Sequence, residues 1–236
     1  MRTILFVTLL ATAFCAVLKP ENVKKIDLQT PEVAAAQVAI ADWMREIFGQ
    51  RAEHFQMHYL ILVDILNKAS VIRKKLVQLD VSNETISDIV SEGFIHFNVF
   101  QSASYSYLNG LDMLVPIMIT ATDKLSALDE TLIETWKLLV EYYKLNNDEF
   151  DVVQSAVNTM MIEMEKIILE AMVGLSGETV VEIRLKMNEI KGMINTRQDQ
   201  MNMVYRGYAW TASQALDAIK IVADELLGQS DCFVLN

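Results

Sequence analysis

Cysteine is nearly absent from this chain. Cys15 and Cys232 are the whole complement, which excludes a disulfide-stapled scaffold and any Cys-x-x-Cys redox or zinc motif. Proline (three) and glycine (eight) are sparse across 236 residues, so turns are few and the punctuation that bounds strands is missing. Basic residues are in deficit. Twenty Lys and Arg face 31 Asp and Glu, a net charge of −11. There is no basic stripe, which argues against nucleic acid as a partner, and attraction to anionic membranes is weak. Long hydrophobic runs are missing too. Beyond the N-terminal segment the longest, residues 113–121, contains Pro116 and is short for a bilayer span. Gly-x-Ser-x-Gly, Walker, dinucleotide and His-Glu-x-x-His motifs do not occur. The expectation is therefore no enzyme and no cofactor.

What is present begins at the N-terminus. Met1, Arg2 and Thr3 precede an apolar run over 4–10 and the small residues Ala11, Thr12 and Ala13. That order predicts a secretory signal peptide within residues 1–16, cleaved after Ala13 or after Ala16. The two sites differ in consequence. Cleavage after Ala13 leaves Cys15 and Cys232 to join the chain ends, whereas cleavage after Ala16 leaves Cys232 odd, either paired in a disulfide-linked dimer or a free thiol. Residues 17–29 and 229–236 are expected to be tails around a single domain, 30–228. A sequon at Asn83, Glu84 and Thr85 marks Asn83 for glycosylation. The expected location is extracellular.

Between the tails, three breaker clusters cut the chain into four stretches of similar length. They are Asp80 to Asn83, Ser126 to Asp129 and Gly174 to Gly177. The stretches 31–79, 84–125, 130–173 and 178–227 would each span roughly 60–75 Å as a straight helix. Apolar residues recur in them at three-and-four spacing, as in Val33, Ala36, Ile40, Trp43 and Ile47, or Leu111, Leu114 and Met118. Thr30 before Pro31 and Glu32 signals the first helix start, Ser82 or Asn83 the second, and Asp129 the third. Equal stretches joined by short turns predict an all-α, elongated up-down-up-down four-helix bundle.

Helix-weakening residues gather near mid-length: Gly49, Gly110, Pro116, Asn146, Asn147 and Gly207. They either kink four long helices or divide them into seven or eight shorter ones. Polar residues interrupt the apolar seams at a similar level. Arg51, His54 and His58 do so in the first stretch, Ser104 beside Tyr107 in the second, and Arg197 in the fourth. Such positions either fix register or form a slot, with Arg51 and Arg197 facing an anionic head group. His54 and His58 are four apart, a spacing that suits a metal, but no Glu-x-x-His pair accompanies them, so no metal is expected.

Function is expected from these features in two forms. The first is a secreted, non-enzymatic bundle binding a lipid or other apolar small molecule at Arg51, His54, His58, Ser104, Tyr107 and Arg197. The second is an extracellular protein-interaction or structural component acting through helical faces. A membrane-active bundle that exposes residues 111–121 stands behind both, and no stable membrane insertion is expected.

Overall fold

The computed structural model describes residues 30–233, with side chains described as far as Gly228. The expected signal peptide and N-terminal tail, Cys15 and the side chain of Cys232 fall outside what is described. Four helices account for nearly all of the rest. They are α1 (Pro31–Gln78), α2 (Asn83–Ala127), α3 (Leu132–Ala171) and α4 (Gly177–Phe233). No strand occurs among the described residues. The chain is an all-α four-helix bundle.

Local chemistry sets the helix starts. Thr30 Oγ1 accepts the Val33 amide at 3.3 Å, with Pro31 in the first turn and Glu32 complementing the helix dipole. Ser82 caps α2 in the same way, its Oγ accepting from the Thr85 amide at 3.1 Å. Removing that acceptor leaves the Thr85 amide to water. Ser82→Ala is expected to cost about 1 kcal/mol, read in thermal denaturation as a drop of roughly 2–4 °C for a domain this size.

The third start differs from the sequence expectation. Asp129 does not cap α3. Its Oδ1 instead accepts from the amide and hydroxyl of Thr131, both at 2.8 Å, closing a local turn. Thr131 then holds the cap position without a side-chain bond. α2 ends on Leu128 in the left-handed region (φ 50°), the first turn places Asp80 there (φ 59°), and the third uses Gly174 (φ 88°). The end of α4 differs as well. Gly228 does not stop it, and the helical backbone runs on through Phe233.

The mid-length breakers do not divide the helices. Gly49, Gly110, Pro116 and Gly207 all lie inside continuous ones. Pro116 removes an amide donor and crowds the preceding turn, a defect of about 3 kcal/mol in an isolated helix. Around it Leu111, Leu114, Met118 and Ala121 are completely buried. Keeping those side chains in the core offsets the local cost, because burying each Leu or Met contributes about 1.5–3 kcal/mol.

The four helices do not approach one another equally. α1 lies closely along α4, and α2 along α3; the α1–α2 and α3–α4 seams are looser. The bundle is thus two tight pairs facing across two wider seams. Lys68–Glu189 and Lys75–Glu182 ion pairs run along the α1–α4 edge. The core itself runs the full length, from Val33 and Leu132 to Leu76 and Ile183.

Candidate functional site

The site lies where the apolar seam of α1 turns polar. The buried positions of α1 run Trp43, Ile47, Gln50, His54, Met57 and Ile61. Their alternating three-four spacing carries Gln50 and His54 into the core at positions that Ile or Leu fills elsewhere. On α2 the facing seam residues are Ser104 and Tyr107, one turn apart. The imidazole of His54 lies against the phenol ring of Tyr107, with centroids 4.8 Å apart. Gln50 faces the Tyr107 hydroxyl.

These groups are buried and unpaired. His54 is 2% exposed, Gln50 and Ser104 1% each, and Tyr107 0%. Even so, Gln50 Oε1, both ring nitrogens of His54, Ser104 Oγ and the Tyr107 hydroxyl have no hydrogen-bond partner. A buried polar group left unpaired costs about 1–3 kcal/mol, so this layer is under-satisfied as it stands. Burial, reinforced by the nearby His58, pushes the His54 imidazolium down to about 3. His54 is neutral at physiological pH. Burial also pushes the Tyr107 phenol far up, so it too is neutral.

The layer is closed on its far side by a satisfied network. Asn146 of α3 donates from Nδ2 to the Tyr107 carbonyl at 3.1 Å, and its Oδ1 accepts from the Tyr208 hydroxyl of α4 at 3.1 Å. Gly110 allows Asn146 this close, since a Cβ there would sit 2.8 Å from Asn146 Nδ2. Further bonds stitch the α3–α4 seam. Trp136 Nε1 donates to the Leu216 carbonyl at 2.9 Å, Tyr205 to Asn147, and Gln198 to Gln154 and Asn158 at 3.4 Å. Across α1–α2, by contrast, the exposed pairs Gln37–Ser126 and Arg51–Asp112 both lie on the side of the layer nearer the start of α1.

An aromatic row leads from this layer to the surface along the α1–α2 seam. His58 stacks on Phe100 at 4.8 Å and meets Phe97 and Tyr105 at 6.2 and 6.3 Å. Phe97 in turn meets Phe94, which is largely exposed. α2 buries nothing between Ile86 and Phe100, whereas Val90, Phe94, Ile95 and Val99 are exposed. This upper part of α2 is the least anchored stretch of the bundle.

Compared with protein families, curated proteins and solved structures, the chain matches none. Its chemistry therefore rests on the geometry alone.

Of the residues singled out by sequence, the fold brings His54, Ser104 and Tyr107 together and sets His58 one turn away. Arg51 and Arg197 lie elsewhere. Arg51 is exposed and bonded to Asp112 at 2.6 Å. Arg197 Nε lies 3.6 Å from Asp64 of α1, and its Nη1 donates to Gln200. Asp64 sits ten residues beyond His54, about 15 Å along the helix. Asn83 is exposed at the first residue of α2. Among the described residues no three His, Cys, Asp or Glu side chains gather as metal ligands, and no helix is long and apolar enough to cross a membrane. The sequence expectation missed Gln50 and Asn146. Extending the three-four count from Ile47 reaches Gln50 and His54, and passes over Arg51 and His58.

Proposed function

We propose that this is a secreted, non-enzymatic helical bundle that binds a lipid or other apolar small molecule between α1 and α2. The observation that carries this reading is the unpaired polar layer of Gln50, His54, Ser104 and Tyr107 between α1 and α2, in a largely apolar core. Unpaired buried groups on both sides of one loose seam make that seam the cheapest to open. A guest entering there gains the aromatic row at its apolar end and hydrogen-bond partners at its inner end. The α3–α4 seam is bonded through Asn146, Asn147 and Gln198 and leaves Gln154 Nε2 unpaired, against five unpaired atoms between α1 and α2. The layer is closed in this structure, so binding requires α1 and α2 to separate. The leader sequence and the exposed Asn83 support secretion and glycosylation. The absence of a catalytic constellation in the sequence supports a binding role.

Native mass spectrometry of chain secreted from eukaryotic cells, with organic extraction of the same sample, tests the proposal. The expected result is a co-purifying apolar molecule in fixed stoichiometry. A ligand-free mass, with no uptake of long-chain compounds from added micelles, would sink it. The same spectrum reports whether Cys232 holds a disulfide-linked dimer.

One observation favours the second reading, a protein-interaction component. A shallow groove of about 680 Å³ lies between α1 and α4, lined by Ala34, Ala35, Val38 and Trp210 among others. Trp210 is 69% exposed there, and exposed tryptophan beside small apolar residues is a common anchor for a protein partner.

A further inference from the structure

We infer that the polar layer of Gln50, His54, Ser104 and Tyr107 receives an uncharged hydrogen-bonding group, such as a hydroxyl or carboxamide, and discriminates against carboxylates and ammonium groups. The inference rests on the binding reading above and specifies its ligand.

Three observations support it. First, the layer offers both donors and acceptors. Ser104 Oγ, the Tyr107 hydroxyl and a neutral imidazole can each donate or accept, and Gln50 Oε1 accepts. A hydroxyl or amide, which also does both, satisfies such a set. A carboxylate only accepts, and an ammonium only donates.

Second, the layer supplies no charge. His54 is held neutral by burial and by His58, which is itself pushed down by burial. Tyr107 is held neutral by burial. An ion placed here would lose its hydration without a counter-charge, a cost far larger than that of a neutral polar group.

Third, the two arginines that might have met an anion are engaged outside the layer, Arg51 with Asp112 and Arg197 with Asp64. Drawing either inward would strand its carboxylate partner.

The test compares three probes of equal chain length on the full secreted protein at pH 7.4: hexadecanol, hexadecanoate and hexadecane. Equilibrium partitioning from cyclodextrin gives their affinities. Hexadecanol is expected to bind roughly tenfold or more tighter than either of the others. Ser104→Ala removes a hydroxyl with no protein partner, and Tyr107→Phe removes one that faces the Gln50 amide, so neither is expected to unfold the chain. Each should reduce the preference for hexadecanol over hexadecane by about fivefold.

Equal or tighter binding of hexadecanoate would overturn the inference and leave the binding reading standing. A preference for the alcohol that survives both substitutions would overturn the placement of the head group in this layer. Failure of all three probes to bind would overturn the binding reading and the inference with it.

Discussion

Gly110→Ala will destabilise the native bundle and stabilise the bundle that already carries Asn146→Ala. In the native chain a Cβ at Gly110 would lie 2.8 Å from Asn146 Nδ2, closer than non-bonded atoms approach. Asn146 cannot retreat freely. Nδ2 is bonded to the Tyr107 carbonyl and Oδ1 to the Tyr208 hydroxyl, each at 3.1 Å. Displacing the amide breaks at least one bond in a fully buried layer, a loss of about 1–3 kcal/mol. The usual gain from replacing glycine in a helix is about 1 kcal/mol, so a net loss of up to about 2 kcal/mol is expected. Asn146→Ala alone strands the Tyr208 hydroxyl and opens a small void, with an expected cost of about 2–3 kcal/mol.

The double variant reverses the sign at Gly110. Once Asn146 is cut back to its Cβ, the nearest atom to a new methyl is that Cβ, 3.8 Å away, an ordinary contact. Only the helix propensity gain then remains, about 1 kcal/mol. Chemical denaturation of the four proteins in the cycle should yield a coupling of about 1–3 kcal/mol. Additive effects, within about 0.5 kcal/mol, would mean that Gly110 and Asn146 do not constrain one another and that the network closing the layer is not built as described.

Much of this architecture was legible in the sequence because helix period and turn chemistry are local. The three-four rows over 31–79, 84–125, 130–173 and 178–227 and the three breaker clusters between them predict four antiparallel helices. The gathering of Gly110 and Asn146 near one level also followed from counting residues, and the fold puts the two in contact. What sequence could not decide was whether the breakers cut the helices. That depends on the apolar burial flanking Pro116, a tertiary effect that outweighs the local penalty. The site was legible in part. His54, Ser104 and Tyr107 stood out as polar or aromatic groups on seams. Arg51 and His58 stood out for the same reason, although each is one position off the α1 seam. The exposure of Arg51, the stacking of His58 on Phe100, and the pairing of Arg51 with Asp112 and Arg197 with Asp64 depend on which helix faces which. Periodicity within one helix does not carry that information.

His54→Leu will raise the melting temperature at neutral pH and will raise it further as the solution is acidified. At neutral pH the substitution removes two buried nitrogens with no partner and replaces them with apolar volume. Relief of that desolvation is expected to stabilise the chain by about 1–3 kcal/mol, or roughly 2–4 °C for each kcal/mol. The acid dependence follows from linkage. The native imidazole protonates only near about 3, first because it is buried and second because His58 is beside it. In the unfolded chain it protonates near the ordinary value of 6.5. Between those values the unfolded state binds a proton that the folded state refuses. The stability linked to His54 is therefore whole above about pH 6.5 and is lost progressively as pH falls towards about 3. At pH 4.5 the accumulated loss is about 3 kcal/mol. His58, shifted in the same direction by burial, adds to it. Carboxylates elsewhere titrate in both proteins and cancel in the difference, so the informative quantity is the gap between native and variant stability at each pH. That gap should widen by about 3 kcal/mol between pH 7 and pH 4.5. A constant gap would show that His54 is hydrated or paired in solution. The polar layer would then already hold its partners, and the reason for α1 and α2 to part around a guest would disappear.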